Sequence, residues 1–304
     1  MLLGGGMLLV MACDSKMLTE TLSERVEVSF GALELKSESD INSLTLCVFR
    51  SDGSLDICVR EQGSSLTASL LKGEMLSFYL IANAPESLTG AVAGERDFAD
   101  TKVGLAMNSR SGLVMMGRGE RRFDGPEAVH VVLDRLVCKV SLGSLVPSFV
   151  GADYLHSAPV VLDRVYLINA CGSIPLSMEP SSEVVFNPGA RDADLPAPVA
   201  DLLDCGPDVL LESPSALSLN LEFYCCPNPL EETMLVLELS IGGEKNYYPI
   251  PLPAMECNKE YRAEVVELLS WGSASPDVPV SRSSVDFSVN VLEWETVEKE
   301  CVMY

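Results

Sequence analysis

Ten cysteines and two histidines are the residues of this 304-residue chain most suited to nucleophilic, redox or metal chemistry. Apart from Cys13 the cysteines are Cys47, Cys58, Cys138, Cys171, Cys205, Cys225, Cys226, Cys257 and Cys301. An odd number makes no tidy disulfide framework. No C-x-x-C spacing occurs, so neither a zinc ribbon nor a dithiol redox site is indicated. Cys47, Cys138 and Cys171 sit in apolar runs and read as buried free thiols acting as small hydrophobes. Cys225 and Cys226 are adjacent, which in a strand sends them to opposite faces. His130 lies in a Val-rich run and reads as a packed or surface residue; with His156 it leaves little material for histidine-based catalysis. Asp134-Arg135 and Asp163-Arg164 read as structural ion pairs at a strand edge or domain interface. Glu231-Glu232 lie beside Pro229 and read as solvated, while Trp271 reads as packing. There is no nucleophile elbow, Walker loop, H-E-x-x-H or EF-hand loop, and Gly117-Arg-Gly119 lacks a third glycine. These residues point to no catalytic set, metal or cofactor, and the chain is not expected to be an enzyme.

Charge narrows the partners. With 44 acidic against 21 basic residues the formal charge is −23, which argues against nucleic acid and against a polybasic membrane patch. A hydrophobic share of 47% excludes disorder over the whole chain. Length suits roughly two domains, at about 100–200 residues each. No apolar run after the N-terminus reaches the roughly 18–20 residues of a membrane span.

The N-terminus carries its own chemistry. Residues 1–12 (MLLGGGMLLVMA) are uncharged and read as a signal peptide. Val10-Met11-Ala12-Cys13 is similar to a bacterial lipobox, which would make Cys13 the lipidated first residue of an anchored chain. One departure is that no Lys or Arg precedes the apolar run. Residues 13–25 are polar and read as a tether.

The elements that must position everything else read as short strands. Val26, Val28 and Phe30 alternate with polar residues. Leu44–Val48 and Leu55–Val59 flank Ser51-Asp-Gly53, a hairpin pattern. Leu66–Leu70 and Met75–Ile81 form a second pair around Lys72-Gly73-Glu74, and Val129–Leu142 reads as one long strand. A short helix is placed near 95–107. Val160–Ala170, Leu217–Phe223, Met234–Ile241, Tyr247–Leu252, Tyr261–Leu269 and Val285–Val291 continue the style, while the proline-rich stretch 178–216 reads as loop or edge. The fold class is all-β, with β-sandwiches and a domain boundary near residue 140.

Several segments, in their order, resemble a known family. Ile41–Phe49 (INSLTLCVF) is similar to an early strand, and Phe78–Pro85 (FYLIANAP) to an Ala-Asn-Ala-Pro strand end. Leu133–Val140 (LDRLVCKV) is similar to the strand at a domain junction, and Glu222–Pro229 (EFYCCPNP) to an aromatic-to-Asn segment. The stretch from Tyr261 through Trp271-Gly-Ser-Ala-Ser-Pro276 to Val285–Trp294 resembles a Gly-Ser…Pro turn and a last strand ending in Trp. The family is the type V pilins (fimbrillins) of Bacteroidetes, and the resemblance spans most of residues 26–296.

The resemblance implies two transthyretin-like, Greek-key β-sandwich domains in tandem, here 26–140 and 141–304. It implies a lipoprotein of the outer membrane and fimbrium, held through Cys13. A trypsin-like protease would remove the first strand (Val26–Leu35), and a donor strand near 285–295 of another pilin subunit would fill the groove. The donor residues would be Val285, Phe287, Val289, Val291 and Trp294. At ~1.5–3 kcal/mol each, four or five such side chains give roughly 6–15 kcal/mol as an upper bound. This chain departs from the family at the processing site. Between Val26 and Phe49 the only basic residue is Lys36, and Arg25 precedes the strand. Cleavage at Lys36 would open the groove, whereas cleavage at Arg25 would leave it filled. An uncleaved chain would be a lipid-anchored pilus anchor or accessory protein. A surface glycan-binding lipoprotein of an outer-membrane import system is the alternative from another class.

Overall fold

The structure, a computed structural model, describes residues 24–32, 40–88, 92–149, 158–179, 184–189, 195–211 and 215–294. Strand dominates it. The principal strands of the first half are β1 (Arg25–Ala32), β2 (Ser43–Arg50), β3 (Leu55–Gln62), β4 (Ser65–Leu71), β5 (Met75–Ala82), β6 (Met115–Arg122) and β7 (Glu127–Val131). Those of the second half are β8 (Cys138–Pro147), β9 (Val160–Ile168), β10 (Leu217–Cys225), β11 (Met234–Ile241), β12 (Glu244–Pro251), β13 (Lys259–Leu268) and β14 (Val285–Glu293).

Alternation decides which faces meet. In the first half a sheet in the order β4-β1-β7 packs on one in the order β3-β2-β5-β6. Their shared core includes Val28, Phe30, Leu66 and Leu70 from one side and Leu44, Leu46, Phe78 and Leu80 from the other. In the second half the order is β10-β8-β13-β14 in one sheet and β9-β11-β12 in another, with Asp204–Cys205 and Val209–Leu211 along the outer edge of β9. Val140, Leu142, Phe223 and Ala263 of the first meet Val165, Leu167, Leu237 and Ile250 of the second in one core.

That second core continues into the back of the first half. The other face of β2 and β5 carries Cys47, Phe49, Tyr79 and Ile81, all buried in it. Helix α1 (Glu95–Ala99) covers this face with Phe98, whose ring lies 5.5 Å from Phe49 and 5.4 Å from Tyr79. Tilted and edge-on contacts of this kind each add roughly 0.5–1.5 kcal/mol beyond burial.

The β2–β3 and β11–β12 hairpins pair as their sequences indicate. Other expectations are corrected. The runs 66–70 and 75–81 are not a hairpin: β4 pairs with β1, whereas β5 pairs with β2 and β6. The turn at Gly73, with φ of +79°, carries the chain from one sheet to the other, so the two strands face each other across the core. The run 129–142 is not one strand. It is β7, the two-residue strand Asp134–Arg135, and β8, each in a different sheet. The helix near 95–107 is only the five residues of α1, followed by a short strand and a 3-10 turn. Within the proline-rich stretch lies a helix, α2 (Ala197–Leu203), which starts beside Pro196 and Pro198 and buries Val199, Leu202 and Leu203.

Candidate functional site

The first strand occupies a slot. β1 is the middle strand of its sheet, antiparallel to β4 from Arg25↔Leu71 to Gly31↔Ser65 and parallel to β7 from Val28↔Glu127 to Ala32↔Val131. Among the described residues β4 and β7 are joined only through it. Val26, Val28 and Phe30 point into the core, and Phe30 meets Phe78 at 5.3 Å and Phe123 at 6.2 Å, both edge-on. A side chain every second residue, two backbone ladders and an aromatic anchor hold β1 in the slot.

Polar contacts hold the ends of β1. The Arg25 guanidinium forks onto Asp56 at 2.9 and 3.1 Å and donates to the Ser69 carbonyl at 3.1 Å. Asp56 also receives Arg50 at 3.3 Å. Lys72 pairs with Glu24 at 2.6 Å, which raises the lysine's pKa and lowers the glutamate's. Arg25 is the first residue of β1, so cutting after it leaves the slot filled. Lys36 and Cys13 lie outside the described residues.

The last strand is held differently. Among the described residues β14 is an edge strand with β13 as its single neighbour, in a ladder from Lys259↔Glu293 to Leu268↔Val285 that is interrupted between Ala263 and Val266. Val285 is buried, Phe287 and Val289 are half-buried against the core, and Val291 is 52% exposed. Grip therefore fades along the strand.

Beyond it the chain is pinned again. Trp294 is buried; its ring stacks on Tyr224 at 5.6 Å. The Arg135 guanidinium sits 4.4 Å and the Lys139 ammonium 5.1 Å from the same ring centre, while Arg110 covers Tyr224 at 5.5 Å. Asn258, in the left-handed region at φ +57°, accepts from Arg135 at 3.1 Å and donates to Asp134 at 3.1 Å. Arg135 is fully buried, and Asp134 answers to Asn258. Arg164 of the other acid–base dipeptide pairs with Asp204, while Asp163 accepts from Ser240 at 2.6 Å.

Next to this cluster lies a charged patch on the outer face of β8, β10 and β13. Lys139 stands 3.5 Å from both Glu222 and Glu260. Burial alone would raise the Glu260 carboxyl, but Ser141 at 2.7 Å, Arg262 at 2.8 Å and Lys139 outweigh it, and its pKa is lowered.

The cysteines correct the sequence reading at one place. Cys47 and Cys58 form a disulfide across β2 and β3, because the register sets them opposite each other. Cys138, Cys171, Cys205, Cys225, Cys226 and Cys257 are free thiols, and Cys301 lies outside the described residues. Burial raises the Cys138 and Cys226 pKa values well above the ordinary thiol range and that of Cys257 to about 12.

His130 is exposed, as are Glu231 and Glu232, and His156 lies outside the described residues. Trp271 is half-buried and packs on the second core. A shallow cleft of about 450 Å³ is lined by Tyr79, Glu95, Arg118 and Glu120, with the Tyr79 hydroxyl 3.5 Å from Glu95. Among the described residues no group of three or more His, Cys, Asp or Glu could hold a metal ion, and no helix is long and apolar enough to cross a membrane.

No protein-family model matches the chain, and no curated protein matches it significantly. Solved structures do. A candidate cell adhesion protein from Bacteroides eggerthii superposes with a TM-score of 0.71 at 18% identity, over 90% of this chain and 97% of that one. A fimbrilin from Porphyromonas gingivalis gives 0.63 at 13% identity, over 91% and 99%. The tip fimbrial protein Mfa3 of the same organism, truncated at its C-terminus, gives 0.58 at 13% identity, over 89% and 100%. The chain has the all-β fold of Bacteroidetes fimbrial and cell adhesion proteins, in accord with the family that its sequence resembles.

Proposed function

We propose that this protein is a structural subunit of a cell-surface pilus, assembled by exchange of β-strands between copies or with related subunits. The carrying observation is the contrast between its ends: β1 fills a two-sided slot in the core, and β14 is a singly paired edge strand of similar apolar spacing. Val26, Val28 and Phe30 recur every second residue, as do Val285, Phe287, Val289 and Val291, so one set can replace the other without changing the pleat. The fold shared with fimbrial proteins over about nine tenths of the chain supports the same reading.

The chain is exported with lipid on Cys13 and reaches the outer membrane. A protease cutting at Lys36 detaches β1, and a donor strand from a neighbour enters between β4 and β7. A tethered β1 sits at millimolar-scale effective concentration, so an external strand competes only after the cut. The two domains are 26–140 and 141–304, and Trp294 leaves its place on Tyr224 when β14 is donated.

The test is the N-terminal residue of the native surface protein, read by mass spectrometry. A chain starting at or near Ser37 without lipid supports a polymerising subunit. A lipidated chain starting at Cys13 removes the stalk reading and leaves an anchor. Treating the purified chain with a lysine-specific protease should yield a ladder of heat-labile multimers, and its absence after complete loss of β1 counts against strand exchange altogether.

A further inference from the structure

Four of the cysteines unused by strand exchange lie opposite one another across strand pairings. β8 and β10 run antiparallel, and their register sets Cys138 opposite Cys225. The two sulfurs are 3.6 Å apart, and the Cys138 thiol donates to the Cys225 carbonyl at 3.2 Å. One residue on, Cys226 forms an isolated bridge with Cys171, its N–H donating to the Cys171 carbonyl at 3.0 Å. Adjacent extended residues point opposite ways, so Cys225 and Cys226 look toward different neighbours. Cys138 and Cys225 are thus a sulfur pair in direct contact across the ladder. Cys47 and Cys58 sit in the same kind of register and are bonded.

We propose that Cys138 and Cys225 are a redox-modification site that closes, on oxidation, into a second cross-strand disulfide tying β8 to β10. Directly opposed residues of an antiparallel pair have Cα atoms about 4.5–5.5 Å apart, inside the roughly 4.4–6.8 Å that a disulfide spans. Side-chain rotation therefore brings the sulfurs together without moving a strand. The oxidant is a low-molecular-weight disulfide or the disulfide of a thiol-oxidising protein. One cysteine, as thiolate, attacks it and expels one thiol. The second cysteine then attacks the mixed disulfide and expels the other. In sum two protein thiols lose two electrons and two protons, and one disulfide is reduced to two thiols.

The fold controls when this happens. Both cysteines are fully buried, and burial keeps the Cys138 thiol protonated. A thiolate is the attacking species, so the finished fold resists the reaction and the bond forms while β8 and β10 are still exposed. The result is a state chosen at the time of folding and then held. The site borders the junction, since Val137 next to it accepts the Asn258 N–H at 3.1 Å.

The test is refolding of the full reduced chain in oxidised and reduced glutathione. The ratio is stepped until Cys47–Cys58 closes, which serves as the internal reference. Remaining thiols are alkylated in denaturant and peptides are mapped without reduction. The expected product is a linked pair of peptides carrying Cys138 and Cys225, two hydrogens lighter than the separate peptides. The same oxidant added to the already folded, reduced protein should close the pair at least tenfold more slowly. Full alkylation of Cys138 and Cys225 in molecules whose Cys47–Cys58 bond is closed overturns the proposal, as does a Cys171–Cys226 link in its place. The Cys225→Ala variant should leave Cys138 fully alkylated; no variant is required for the mapping itself.

Discussion

Truncating Phe30 to alanine separates the two kinds of strand most sharply. Phe30 is fully buried in the middle strand of its sheet and meets Phe78 at 5.3 Å and Phe123 at 6.2 Å. Transfer of the ring out of water contributes about 1.5–3 kcal/mol. Two edge-on ring contacts add roughly 0.5–1.5 kcal/mol each. The sum, about 2.5–6 kcal/mol, brackets the ~3–5 kcal/mol usual for a buried Phe→Ala change. A loss of that size is a large part of the ~5–15 kcal/mol that holds a domain together. Val291→Ala on β14 removes a side chain that is half in water, and should cost within about 0.5 kcal/mol. Both variants are compared with the parent by urea denaturation, and by hydrogen exchange resolved to β1, β4, β7 and β14. Phe30→Ala should lower protection across β1, β4 and β7 together, because the two outer strands are joined only through the middle one. Phe30→Leu should recover most of the loss. If Phe30→Ala costs less than about 1 kcal/mol, or no more than Val291→Ala, the picture of a slot filled by β1 is wrong.

Other outcomes follow from the same contacts. Trp294→Ala strips the ring from Tyr224, Arg135 and Lys139, and should cost about 3 kcal/mol with faster exchange along β14; unchanged exchange there would show that Trp294 does not hold the strand. Glu260 has a lowered folded pKa, so its contribution is complete above the unfolded value near 4.5 and is lost as pH falls through the folded one. Glu260→Gln should therefore flatten the acid limb of a stability–pH curve below about pH 4.5, and an unchanged limb would exclude the network as its source. Opening the Cys47–Cys58 bond, which closes an 11-residue separation, should cost about 2–3 kcal/mol in a Cys47→Ala/Cys58→Ala variant measured by thermal melting.

What was legible in the sequence was local. Val26, Val28 and Phe30 show their inward face because strand periodicity is two, and that face is the one in the core. The β2–β3 and β11–β12 hairpins are legible because Ser51-Asp-Gly53 and Gly242-Gly243 supply the positive φ that tight turns need. The apolar face of Val285, Phe287 and Val289 reads the same way. The all-β class follows from the sum of such signals.

Sheet membership belonged to the tertiary structure. Residues 66–70 and 75–81 look like a hairpin, but Leu66, Ala68 and Leu70 of the one and Leu76, Phe78 and Leu80 of the other line one core, which they satisfy only from opposite sides. The run 129–142 is continuous in hydrophobicity yet serves three sheets, and its Asp134-Arg135 step turns at Asn258, more than a hundred residues away. Cys47 finds Cys58 through register, and Cys138 faces Cys225 for the same reason; counting cysteines carries no register. Trp294 reads as the end of a donor strand, and its stacking on Tyr224 beside two cations appears only once the sheets are in place. Periodicity is written residue by residue, because it reports which side of a strand meets water. Pairing is decided by which buried faces and backbone edges can be satisfied together, and that is a property of the whole assembly of sheets.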